Sequence, residues 1–157
     1  MIAFKKISLF LIILISAFIS GCATYGKGLD AALNDAQSGD YAAAEVKMEK
    51  ELEPTGADRL LYHMELAVLK HLQGQYVESN QLLDKAEVIA EQLETTSITN
   101  SLAAFVTNPR QGDYAGTDFE KVFINYYKAL NYIAMSSEAK TRNEYLDGIE
   151  NARIESR

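Results

Sequence analysis

Tryptophan is absent from these 157 residues, cysteine occurs once and proline only twice. The single thiol, Cys22, excludes an internal disulfide, so the fold must be held by packing. The two prolines, Pro54 and Pro109, leave long stretches in which nothing stops a helix from continuing. Alternating apolar and polar runs bounded by turn residues, the mark of half-buried strands, are missing too. Ala, Leu, Glu, Lys and Gln are plentiful instead. The expected class is all-α. Basic residues are in the minority: the net charge is -7, so nucleic acid and anionic lipid headgroups should be repelled.

The residues that usually carry catalysis are also sparse. His63 and His71 are the only histidines. They stand eight positions apart on one predicted helix, whereas two imidazoles on one metal need a spacing of three or four. His71 shares a face with Met64 and Val68 and reads as packing at the edge of the core. Glu87, Glu91 and Glu94 read as a solvated helix flank. No Ser-His-Asp spacing, phosphate loop or zinc pattern occurs. Catalytic residues, cofactor and metal are therefore all expected to be none, and the chain is not expected to be an enzyme.

The N-terminus is more explicit. Lys5 and Lys6 precede an apolar run from Ile7 to Ile19, too short for the ~20 residues that span a bilayer. The run closes on Ile19-Ser20-Gly21-Cys22, which resembles a bacterial lipobox. That resemblance implies cleavage between Gly21 and Cys22 and acylation of the Cys22 thiol. It also implies an outer-membrane address facing the periplasm, because Ala23 stands where inner-membrane retention uses Asp. The expected organisation is a signal peptide at 1–21, an acylated cysteine and tether at 22–28, and a helical domain at 29–157. Losing Lys5 and Lys6 with no acid moves the net charge to -9, so the lipid alone should provide the membrane attachment.

The helical domain carries an internal repeat. Gly39-Asp40-Tyr41-Ala42-Ala43-Ala44 and Gly74-Gln75-Tyr76-Val77-Glu78-Ser79 share the form Gly-x-Tyr-x-x-small and begin 35 residues apart, close to the tetratricopeptide period of 34. The glycine should end one helix in a left-handed conformation, and the small residue should let two helices approach closely. In the second copy Leu61, Met64, Val68 and Leu72 should line one helix, with Ser79, Leu82, Leu83, Ala86, Ala90 and Leu93 lining its partner. The first copy is weaker: Leu29, Ala32, Leu33 and Ala36, then Ala44, Val46, Met48 and Leu52. A tetratricopeptide-like stack of about three antiparallel helix hairpins is expected.

Thr95 to Asn100 reads as a polar interruption, Leu102 to Val106 as a short helix, and Asn108 to Asp113 as a turn. Asp118 should cap a long helix with an aromatic stripe of Phe119, Val122, Phe123, Tyr126, Tyr127, Leu130, Ile133 and Ala134, expected to be well buried. Ser136-Ser137 replaces the hairpin glycine. The charged segment that follows offers Leu146, Ile149 and Ile154 as sparse apolar contacts.

Tyr114-Ala115-Gly116-Thr117-Asp118-Phe119-Glu120-Lys121-Val122, followed by Asn125-Tyr126-Tyr127-Lys128-Ala129-Leu130-Asn131-Tyr132, resembles the motif of a family of uncharacterised, tetratricopeptide-like proteobacterial lipoproteins. Asn151-Ala152-Arg153-Ile154-Glu155-Ser156-Arg157 approximates the Glu-Ala-Arg-rich helix that follows it there. The resemblance carries no catalytic residues over to this chain. Family members are generally longer, so the chain reads as a shortened member whose exposed end should make it dimerise, aggregate or unfold readily.

Tyr114, Gly116, Tyr126 and Tyr132 are the candidate partner-binding residues, since tyrosine joins a stacking face to a polar tip and glycine permits close backbone approach. A stripe at helical spacing is nevertheless more often core. The expected function is a membrane-anchored scaffold that binds a protein or peptide partner in envelope assembly or regulation. The alternative is a cell-wall enzyme, or an activator of one, using Tyr and Glu residues of the third hairpin.

Overall fold

A computed structural model of the chain describes residues 27–100 and 113–157. The expected signal segment, Cys22, most of the tether, the short helix at Leu102–Val106 and the turn around Pro109 lie outside the described residues. Within them the protein is all-helical. Its helices are α1 (Lys27–Gln37), α2 (Tyr41–Glu51), α3 (Arg59–Leu72), α4 (Tyr76–Asn100), α5 (Asp118–Ser137) and α6 (Arg142–Glu155). Each packs on its neighbours in sequence, and α3 also touches α5. α1 begins at Lys27, two residues inside the expected tether.

The recurring glycines do what their sequence context requires. Gly39 and Gly74 have φ of 86° and 74°, in the left-handed region that side chains resist. The same hydrogen-bond pattern closes both helix ends: Asp40 N–H donates to Asp35 O and Gln75 N–H to Lys70 O, each at 2.9 Å. Gly39 N–H then donates to Ala36 O, and Gly74 N–H to His71 O. Three residues after the repeat tyrosines, Ala44 and Ser79 are wholly buried, and a larger residue there would hold the paired helices apart. Pro54 falls between α2 and α3, as a residue that cannot extend a helix should.

Two apolar clusters form the core, and α3 serves both. Ala32, Ala44, Met48 and Leu52 meet Leu66 and Leu69 on one side of α3; Leu60 and Ala67 meet Leu83, Ala86, Ala90, Leu93 and Ile124 on the other. The α4 face is the expected one, with Leu82 only partly buried and touching both clusters. The α3 face is not. Leu61, Met64 and Val68 are half-buried and Leu72 is exposed, because a helix gripped from two sides buries a wider arc than a single stripe. Leu33 and Val46 likewise turn outward.

Three further expectations are corrected. Thr95 to Asn100 does not interrupt the chain: α4 runs through it, and Thr95 Oγ1 donates back to Gln92 O in its own helix. α5 is capped by Thr117 rather than Asp118, with Thr117 N–H donating to Glu120 Oε2 at 2.6 Å in a capping box. On α6, Leu146, Ile149 and Ile154 are all exposed. α6 meets α5 instead through Gly148 and buried Ala152. A Cβ built on Gly148 would lie 2.8 Å from Ser136 Cβ and 3.1 Å from Tyr132 O, so only glycine permits this approach.

Candidate protein-interaction face

α5 departs from the sequence expectation over most of its stripe. Of the residues that should be buried, Phe119 is 64% exposed, Val122 68% and Tyr126 51%, with Phe123 and Ile133 also open, while Tyr127, Leu130 and Ala134 are half-buried and Tyr127 packs against the core. Its inward face carries Ile124, Lys128 and Asn131, the last two polar and at most 6% exposed. Spacings of four and three place these residues on one side of the helix, opposite the aromatic stripe. Aromatic character therefore misjudged the face, because the inward positions satisfy their polar groups on α3, α4 and α6.

Asn131 is fully bonded. Its Nδ2 donates to Ser79 Oγ and Asn80 Oδ1, both at 2.8 Å, and its Oδ1 lies 2.6 Å from His71 Nδ1. Since the amide nitrogen is committed to donation, His71 must carry its proton on Nδ1 and donate it to the amide oxygen. Ser79 passes its own hydroxyl proton to Ala67 O at 2.8 Å. One side chain of α5 is thus bonded to a side chain of α3 and to two side chains of α4.

One turn earlier, Lys128 Nζ sits 3.0 Å from both Asp84 and Glu87 and 3.1 Å from Glu155. Burial alone would lower its pKa, but the bonds to Glu87, Asp84 and Glu155 raise it above the ordinary lysine value. Three helices, α4, α5 and α6, meet on that ammonium. Glu87 is therefore tied to α5 as well as lying on the flank of α4, where its side chain is still 41% exposed. Glu94 also bridges to α5, through Lys121 at 2.7 Å, while Glu91 remains exposed.

From this locked side a chain of rings leads outward. Tyr76 and Tyr127 both lie edge-on to His71, with centroids 5.7 and 5.2 Å away, and Tyr127 contacts Tyr126, which contacts Phe123. The stripe is thus supported from beneath. Its apolar members Phe119, Val122, Phe123, Tyr126 and Ile133, with half-buried Leu130 among them, include no charged side chain.

The four candidate binding residues are not gathered into one site. Tyr114 is latched to the start of α3, its N–H donating to Ala57 O at 2.8 Å beside an Arg59–Asp113 ion pair of 2.7 Å. Burial, then its bond to Glu120 and the charges of Glu120 and Glu65, push its phenol up to about 12. Gly116 has φ of 69°, and a Cβ there would stand 3.2 Å from Leu60 Cδ2, so it brings the α5 entry turn onto α3. Tyr132 lines an open groove of ≈390 Å³ beside Gly148, between α5 and α6. Tyr126 alone belongs to the exposed stripe. It also borders a second groove of ≈390 Å³ with Val122, Asn125, Ala129 and Glu155.

Among the described residues no group of three or more His, Cys, Asp or Glu side chains could hold a metal ion. His63 is buried with Nδ1 unpartnered, and burial followed by the Lys85 charge lowers its pKa. Glu65 is pushed up by burial and by Glu120. No described helix is long and apolar enough to cross a membrane.

Neither a known protein family, nor a curated protein, nor a solved structure matches this chain. The functional reading therefore rests on the geometry of α5 and on the sequence.

Sequence reasoning passed over Lys128 and Asn131, the two residues that fix α5. Their spacing from Ile124 was visible, but the partners Ser79, Asn80, Asp84 and Glu87 lie more than forty positions away on another helix.

Proposed function

We propose that the protein is a lipid-anchored envelope scaffold whose helical domain presents the outer face of α5 to a protein partner. One observation carries this reading: an uncharged apolar stripe stands open on a helix whose opposite side is tied down by hydrogen bonds and ion pairs. Contiguous exposed apolar surface on a water-soluble domain marks an interaction site. The repeated glycine caps at Gly39 and Gly74 support a tetratricopeptide-like arrangement of the hairpins, which presents binding surface along a stack. The lipobox-like Ile19-Ser20-Gly21-Cys22 supports acylation at Cys22, a location at the outer membrane facing the periplasm, and kinship with the tetratricopeptide-like proteobacterial lipoproteins.

The scaffold reading is preferred to a cell-wall enzyme because four of the five glutamates of the third hairpin are already engaged, and the fifth, Glu138, is an exposed carboxylate at the rim of the Tyr132 groove with no second acid or base paired to it for catalysis. Glu120 and Glu144 complete capping boxes, Glu155 holds Lys128, and Glu150 pairs with Arg153 at 2.6 Å. A photoreactive residue at Val122, activated in intact envelopes, should give protein adducts, and mass analysis should find residue 22 acylated. Adducts to lipid alone, or none, would overturn the partner-docking reading; a bare Cys22 would overturn the anchor.

A further inference from the structure

We infer that the face of α5 is occupied by a second copy of this chain, packed antiparallel across a twofold axis near Tyr126. This rests on the docking reading above and names the partner for the same surface. Tyr126 is the midpoint of the stripe, seven residues from Phe119 and seven from Ile133. Under an antiparallel twofold pairing Phe119 lies opposite Ile133, Val122 opposite Leu130, and Tyr126 opposite itself. The aromatic half of one stripe, Phe119 and Phe123, then meets the smaller residues of the other half. A face divided in this way is self-complementary, which is what an isologous contact requires.

The area agrees. With aromatic side chains offering ~150–250 Å² each, the exposed fractions of Phe119, Val122, Phe123, Tyr126 and Ile133 leave on the order of 500 Å² of apolar surface open. Two such faces reach the roughly 1,000 Å² that a specific interface needs.

Charge selects the occupant further. The chain carries a net -7, which would attract a basic partner, yet no carboxylate lies in the stripe itself. On α5, Glu120 is turned into the helix cap, Lys121 pairs with Glu94, and Lys128 is buried among Asp84, Glu87 and Glu155, so the charges left at the border of the stripe are Asp118 at its N-terminal end and Arg157 beside Val122 and Tyr126. The centre of the occupant must therefore be uncharged and apolar, with charge confined to its rim. A second copy has that form, and the net charge of -7 on each copy gives long-range repulsion between two acidic bodies. Salt screens that repulsion, so the dimer should tighten as ionic strength rises, whereas a complex with a basic partner would loosen.

Sedimentation of the full chain in a mild, density-matched detergent tests this. A dimer that strengthens with salt is expected, and Val122→Glu should weaken it at least tenfold while the circular dichroism stays helical. A photoreactive residue at Tyr126 should crosslink to residues 122–130 of the second copy. A chain monomeric at every salt concentration would overturn the inference, as would a dimer indifferent to both Val122→Glu and Ile133→Glu. If the envelope adduct at Val122 proved to be a different protein while the purified chain stayed monomeric, self-pairing would fail and partner docking would survive. If neither a self-adduct nor a foreign one formed, both would fail.

Discussion

The four helices α1 to α4 and the pair α5 and α6 solve one packing problem in opposite ways. In the first region small and aliphatic residues point inward: Ala32, Ala44, Ala67, Ala86 and Ala90 let the helices close on Leu52, Leu60 and Leu83. In the second, the inward side of α5 adds an amide and an ammonium to the single aliphatic Ile124, and Phe119, Phe123 and Tyr126 point away from the core while Tyr127 packs against it. Apolar burial is tolerant of small shifts, whereas a hydrogen-bonded amide fixes position and rotation together. α5 is thus set in place by direction-sensitive contacts, which leaves its apolar side free for another task.

The contrast can be broken most severely at Lys128. Lys128→Met leaves Asp84, Glu87 and Glu155 facing one another without their cation. Allowing for the exposure of two of these carboxylates, we expect a loss of about 2–3 kcal/mol in urea unfolding. A change below 0.5 kcal/mol would mean that the triad contributes little. Asn131→Ala comes next. It strands His71 Nδ1–H and Asn80 Oδ1, and about 2 kcal/mol should be lost in the same assay.

Gly74→Ala probes the first region. Nothing lies within 4 Å of the added Cβ, so only the left-handed backbone opposes it, and a loss of about 1 kcal/mol is expected. A cost above 3 kcal/mol would point to a clash instead.

His63 is the polar misfit of that apolar region. Burial, then Lys85, holds its folded pKa below the ordinary value of about 6.5, so the unfolded chain takes up a proton first. The resulting stability is fully present above that value and is lost as pH falls through it toward the folded pKa. His63→Leu should flatten this acid limb, seen as a smaller drop in Tm between about pH 7.5 and 5.5 than the parent shows. An unchanged drop would assign the acid sensitivity to carboxylates. The smallest effect belongs to the outer stripe, where Val122→Ser, measured on the monomer, should move stability by no more than about 0.5 kcal/mol.

The helical class, the glycine-ended hairpins and the α4 face could all be read from local features. Each depends on residues close in sequence: Gly39 and Gly74 on their own φ, Ala86 and Ala90 on helical spacing. The α5 face could not be read in this way. Phe119, Phe123 and Tyr126 look buried by composition, and Lys128 looks solvated. What reverses them is a set of partners on α4 and α6 that no local pattern connects to α5. Tyr114 and Gly116 were picked out for a backbone approach that does occur, but the approaches are to Ala57 O and to Leu60 of the same chain.

The amide of Asn131 has a last consequence. Sliding α5 by one residue would carry that side chain about 100° around the helix and break its three bonds at once. The helix is therefore rigid before anything reaches it. A visitor to its far side forfeits little motional freedom in engaging it, so recognition there should be quick to form and selective in register.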